Sequence, residues 1–352
     1  MKLHAVALRL WRNKPLINTI KIVLAVVLLA VVIRQADWRE VRDRLAALRW
    51  WWFVLALALQ WLVVAIGNHR LQILLRALQI HLSYLRTLKY NCIGYFFNLA
   101  FPGGTGGDVV KVFYVAREAP GRAAAVVTAI LLDRIMGLLA VVIIAAGALL
   151  LTLKSSPAFR PLLPWSCLLL VLAAAAVALL MTKNYWKRYA WWGVVERYTP
   201  AFVRHMVRAL YEYRSHKMIA ALALGESLAL QLVMCVIALC FGRALSLAMP
   251  WHLYFIIFPV LTLVITIPIT PSGLGITEGA AAWCFKQVLG AGGGAAGFAF
   301  MLLLRLTMIS MALAGFVCWL MPGTHVAAKE LVAEAEELEQ RGAGQPAVPR
   351  ED

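Results

Sequence analysis

Residues 123–153 read AAAVVTAILLDRIMGLLAVVIIAAGALLLTL, a stretch in which only Asp133 and Arg134 carry charge. A helix needs about 20 mostly apolar residues to cross a bilayer. This stretch exceeds that length and is interrupted by an acid–base pair, so it is expected to be a bent or double element. Working outward, Leu16–Ile33, Trp50–Gly67, Leu162–Met181, Met218–Phe241, Trp251–Ile269 and Ala295–Leu320 are further apolar runs suited to one crossing each. Ile93–Phe101 and Gly279–Phe285 are too short to span and read as re-entrant or broken-helix segments. The expected fold is an all-α polytopic membrane helix bundle. It has about seven or eight transmembrane helices, two broken or re-entrant Gly/Pro segments and a candidate internal repeat.

Composition supports this. Apolar residues make up 62% of the chain and charged residues 14%, against about 25% charged in soluble domains. There are too few charges to cover a soluble surface. Residues 1–322 are read as one integral membrane domain, and 323–352 as an acidic, partly disordered cytoplasmic tail. The basic start of the first run has no small-residue cleavage site after it, so Leu16–Ile33 is read as an uncleaved span.

The net charge of +17 does not imply nucleic acid. Basic residues gather in particular loops: 7 Lys/Arg from Arg70 to Arg122 and 8 from Lys183 to Lys217, against 5 from Arg34 to Arg49, 2 at Lys154 and Arg160, and 1 at Arg243. This asymmetry places both termini in the cytoplasm, where an anionic leaflet attracts cations. Tyr185–Trp192, with its interleaved Lys187 and Arg188, reads as an interfacial anchor. The six cysteines lie in or beside apolar runs without C-x-x-C spacing, and read as small core residues rather than ligands or disulfides. No metal or cofactor is expected.

Two segments say more than "membrane helix". The first runs from Asn98 through Pro102, Gly104 and Gly106 to Asp108 and Lys111; the second runs from Pro268 through Pro271, Gly273 and Gly275 to Thr277 and Glu278. In each, an apolar run is broken by Pro, then Gly, then an acid near an expected helix start. Broken backbone inside hydrocarbon is tolerated only where it is buried in protein or lines a wet cavity. A helix N-terminus aimed into such a cavity suits an anion such as phosphate; Asp108 and Thr277 could equally cap their helices. Pro102 aligns with Pro271, Gly104 with Gly273 and Gly106 with Gly275, and Arg134 and Arg305 follow at similar spacings. Paired Gly/Pro-interrupted segments in two halves point to a transporter site, and the two are expected to line one polar cavity.

Asp133, Arg134, Glu226, Glu278 and Arg305 fall within or beside apolar runs. A charge at the bilayer centre costs roughly 2.5–3.5 kcal/mol on the insertion scale. Such residues either pair structurally, for example Glu226 with Arg305, or the arginines meet a lipid phosphate while the acids meet its headgroup.

Asn98, Pro102, Gly104, Gly107 and Asp108, then Asp133-Arg134 with Gly137, then Pro271, Gly273, Gly275, Glu278 and Gly279, resemble the flippase-like transmembrane domain of lysyl-phosphatidylglycerol synthases. The resemblance covers roughly residues 15 to 322 and implies lipid translocation in envelope biogenesis. Lys111 departs from the Arg expected there, and the soluble aminoacyl-transferase domain is absent, so lysyl transfer is not implied. The substrate-binding residues expected are Asn98, Pro102, Gly104, Gly106, Asp108, Lys111, Asp133, Arg134, Pro271, Gly273, Gly275, Glu278 and Arg305, with no catalytic residue.

The favoured function is an inner-membrane translocase, or a transport subunit, for a lipid or lipid-linked glycan precursor. The alternatives are a membrane-embedded transferase acting on a lipid-linked phosphate and a non-transporting scaffold of an envelope pathway. Expected partners are the membrane, an anionic phospholipid or a polyprenyl-phosphate-linked lipid, and either a second copy of the chain or a lipid-modifying enzyme. Gly104–Lys111 departs from the phosphate-loop pattern G-x4-G-K-[ST], so ATP is not expected to drive the chain directly.

Overall fold

In a computed structural model, residues 38–100, 106–151, 157–171, 217–266, 270 and 273–321 are described. The expected span Leu16–Ile33, the second half of Leu162–Met181, the anchor Tyr185–Trp192 and the tail 323–352 lie outside the described residues. The described chain is all-α and polytopic, with no strand among the described residues.

A short amphipathic helix, α1 (Trp38–Ala46), precedes four elements: α2 (Trp50–Ala77), α3 (Tyr84–Ala100), α4 (Gly106–Glu118) and α5 (Ala123–Leu151). A second series follows: α6 (Lys217–Ala244), α7 (Trp251–Thr266), α8 (Ile276–Leu289) and α9 (Gly293–Leu320). The lengths run 28, 17, 13 and 29 residues in the first series and 28, 16, 14 and 28 in the second. Four helical stretches among the described residues are long and apolar enough to cross a membrane: α2, α5, α6 and the α8–α9 stretch. The long helices are apolar on all sides, as suits elements that meet lipid as well as protein.

The two series run in opposite directions. The Arg49 N–H, at the start of α2, donates to the Ala244 carbonyl at the end of α6 at 2.9 Å, so these two helices are antiparallel. At the other end, Arg122, just before α5, donates to the Gln79 carbonyl just after α2. The molecule thus has a Trp50 end and an Ala77 end. Helix α5 climbs from the second to the first, and α9 descends the opposite way.

Between the long helices each series carries a hairpin that returns to its own end. Arg86 and Tyr90 near the start of α3 both reach Glu118 at the end of α4, at 3.2 and 2.6 Å. Hairpin α3–α4 therefore enters from the Ala77 end. Helix α7 starts just past the α6 terminus, and the Gly290–Gly292 turn after α8 packs against Glu40 and Arg44 of α1. Hairpin α7–α8 therefore enters from the Trp50 end. This corrects the reading of Trp251–Ile269 as a crossing: α7 spans about 24 Å and its partner turns back.

Two further expectations change. Helix α5 is one continuous helix and not a double element, because Asp133 and Arg134 find partners and need no break. Helix α2 runs ten residues past Gly67, to Ala77, since the Asn68-His69-Arg70 triplet is also satisfied inside the bundle.

The core forms two apolar clusters. One, toward the Trp50 end, holds Phe53, Phe241, Tyr254, Phe285 and Phe300. The other, toward the Ala77 end, holds Leu74, Ile93, Phe113, Val126 and Ile130. Arg134 lies about 16 Å along α5 and Arg305 about 18 Å along α9 from the nearer helix end, whereas Asp108, Lys111 and Glu278 lie in the first two turns of α4 and α8.

Candidate functional site

The α3–α4 hairpin closes through small residues. A Cβ on Gly107 would overlap the Gly94 carbonyl, so the two helices touch backbone to backbone there. The Asn98 Oδ1 accepts from the Gly107 N–H at 2.9 Å, and this satisfies one of the free donors of the α4 N-terminus. Asn98 thus caps the helix, and Asp108 is left for another task.

That task is the binding of cations. Arg134 Nη2, from α5, donates to Asp108 Oδ1 at 2.6 Å. Lys111 Nζ sits 3.6 Å from the same oxygen and 5.4 Å from the centre of the Tyr95 ring. Gly94 leaves room for the Lys111 stem. Two cations share one carboxylate, so the group carries one surplus positive charge. The neighbouring Asp133 is held by Arg70 of α2, Nε to Oδ1 at 2.7 Å. Arg70 also donates to Ser227 Oγ of α6 at 2.8 Å.

The second hairpin carries a similar pair with a different balance. Glu278 reaches back to accept from the Gly275 N–H at 2.7 Å, the acid half of a capping box. Gly273 and Gly275 have φ of 68° and 82°, a region costly for any residue with a Cβ. Arg305, from α9, donates to Glu278 Oε1 from both Nε and Nη2, at 3.1 and 3.0 Å, and to Thr277 Oγ1 at 3.0 Å. Glu226 is not the partner of Arg305. It binds His69 Nδ1 at 2.6 Å instead, because α6 packs along α2.

The structure therefore brings Asn98, Gly106, Asp108, Lys111, Asp133 and Arg134 together, and separately gathers Gly273, Gly275, Glu278 and Arg305. Pro102, Gly104 and Pro271 lie outside the described residues. The two arginines differ in access: the Arg134 side chain is 49% exposed and that of Arg305 14%. Arg305 spends its fork on protein oxygens, whereas among the described residues Arg134 makes one such bond, to Asp108, of the five its guanidinium can donate.

Sequence reasoning missed His69 and Arg70, which it assigned to a loop. The signal was present: Leu71, Leu74 and Leu75 keep helical spacing after the triplet and are all buried. Among the described residues no group of three metal-binding side chains occurs.

The sequence pattern of the lysylphosphatidylglycerol synthase TM region matches residues 18–346. No curated protein and no solved structure matches the chain.

Proposed function

We propose, from the premise that the chain belongs to the family of lysylphosphatidylglycerol synthase TM regions, that it moves an anionic lipid headgroup across the bacterial inner membrane. The carrying observation is Arg134. It stands about 16 Å along α5, half exposed, beside Lys111 and a single shared carboxylate. An arginine so placed in hydrocarbon is costly, and its planar donors match phosphate. A lipid phosphate arriving there meets a surplus positive charge in a low-dielectric setting, where attraction is strong.

The opposed hairpins supply a path. Substrate sites between inverted halves, at broken helices near the midplane, suit alternating access. In this reading the α3–α4 hairpin serves the leaflet at the Ala77 end, which is cytoplasmic, and α7–α8 serves the other leaflet. Asn98, Gly106, Asp108, Lys111, Asp133 and Arg134 bind the headgroup. Gly273, Gly275, Glu278 and Arg305 form the rigid counterpart, and Pro102, Gly104 and Pro271 belong to the same binding set. The substrate is an anionic phospholipid or a polyprenyl-phosphate-linked lipid, and the chain acts alone, as a homo-oligomer or beside a lipid-modifying enzyme.

Reconstitution tests this. Purified protein in vesicles carrying a fluorescent anionic phospholipid in one leaflet should speed its transfer, and Arg134→Gln should abolish the gain while the protein stays folded. Transfer equal to that of protein-free vesicles overturns the reading.

A further inference from the structure

We propose that His69 and Glu226 form a proton-binding site coupled to headgroup binding at Arg134; the coupling rests on the function proposed above. His69 Nδ1 lies 2.6 Å from Glu226 Oε1. The His69 side chain is 52% exposed. Glu226 Oε2, by contrast, is buried and has no hydrogen-bond partner among the described residues. One end of the pair is open and the other is closed and unsatisfied, which is a poor strut and a good place to hold a proton.

The pair is also wired to the anion site. Arg70 follows His69 on α2 and Ser227 follows Glu226 on α6, and these two are bonded to each other. Arg70 holds Asp133, whose neighbour Arg134 holds Asp108, which in turn meets Lys111. With the imidazole neutral, Glu226, Asp133 and Asp108 balance Arg70, Arg134 and Lys111. A phosphate bound at Arg134 brings an unbalanced negative charge into this row, and one proton on His69–Glu226 cancels it. Histidine is the side chain whose charge ordinarily changes near neutral pH. By linkage, a proton that is taken up when the headgroup binds must itself strengthen headgroup binding.

Among the described residues, the other charged side chains of the packed helices are engaged or stand near helix ends: Arg76 lies in the last turn of α2, and Arg86 and Lys89 lie in the first two turns of α3, with Arg86 paired to Glu118. Helix α5 brings Asp133 and Arg134, already paired. Helix α3 brings the Tyr84 hydroxyl, which donates to the Ala65 carbonyl. Arg305 on α9 is engaged by Glu278, and Lys217 and Arg243 stand at the ends of α6.

The test uses the full chain in nanodiscs of zwitterionic lipid, with ring-labelled histidine and a short-chain phosphatidylglycerol as the probe. Without probe, the His69 ring signals should respond to pH, and this response should change in Glu226→Gln. With probe, an indicator dye in unbuffered solution should report about one proton taken up per probe bound, and probe affinity should fall by up to about tenfold per pH unit as pH rises. His69→Gln and Glu226→Gln should bind the probe but lose both the uptake and the slope. His69 signals that ignore pH overturn the proton site. A response unaltered by bound probe overturns the coupling and leaves the lipid reading standing. Failure to bind probe removes the coupling together with the lipid reading, while the probe-free titration still decides the proton site.

Discussion

Asp108 and Glu278 are each the third residue of the short helix that leaves a hairpin apex, and each holds an arginine on the following long helix, 26 and 27 residues onward. The two acids are counterparts in halves of opposite direction. Their arginines are not equivalent, because one is half open and the other is closed in.

Arg134→Lys is expected to leave insertion and folding intact and to slow lipid transfer roughly tenfold, about 1.4 kcal/mol. Lysine keeps the charge facing Asp108 but offers a point charge where a fork is needed. Size-exclusion profiles of the purified variant, read beside the vesicle assay, check both halves of this statement.

Arg305→Gln should act through the fold. It leaves Glu278 buried without its cation, a loss of about 3–5 kcal/mol, and the yield of folded protein should drop. Adding Glu278→Gln removes the orphaned charge and should restore much of the yield. Thermal unfolding of the single and double variants in detergent measures this. A double variant no more stable than Arg305→Gln would instead assign Arg305 a role beyond pairing.

Gly107→Ala should disrupt the first hairpin. The added methyl meets the Gly94 carbonyl and the Asn98 amide, and overpacking of this kind costs about 1–3 kcal/mol. A lower unfolding temperature is expected, with Gly147→Ala as a control, since nothing lies near a Cβ there.

Hairpins of opposite entry make a topological prediction. Cysteines replacing Lys2, Glu118 and Glu351 should react with an impermeant maleimide only from the cytoplasmic face, and one replacing Lys286 only from the opposite face. Labelling of Glu118 and Lys286 positions from the same side would rule out the inverted arrangement.

If the two apices line one path, cysteines at Thr105 and Leu274 should crosslink with a short bifunctional reagent in vesicles. Lipid transfer should then stop. Transfer that continues unchanged in fully crosslinked protein would separate the apices from the path.

Much of the architecture was legible because lipid imposes a simple demand, long apolar runs, and because Pro, Gly and acid at fixed spacing mark a broken helix. The repeat was only partly legible. Pro and Gly keep their offsets between halves while the acid and the Arg shift by one and two residues, and the remaining positions need only be apolar, so α2 and α6 share length without sharing sequence. Partner choice was least legible. Glu226 meets His69 across 157 residues, and such pairing follows from which helices pack, which charge alone does not encode. His69 and Arg70 were hidden for a related reason: a polar triplet after an apolar run looks like a loop until its partners on α5 and α6 are known.

The order of the elements has a consequence for biosynthesis. Each hairpin emerges from the ribosome before the helix that carries its arginine. At roughly 5–20 residues per second, the counter-charge for Asp108 or Glu278 is made about one to five seconds later. During that interval the acid is not yet neutralised by its arginine. Asp108 has Lys111 of its own helix within reach meanwhile, whereas Glu278 waits for Arg305, so the second hairpin settles only after α9 is made.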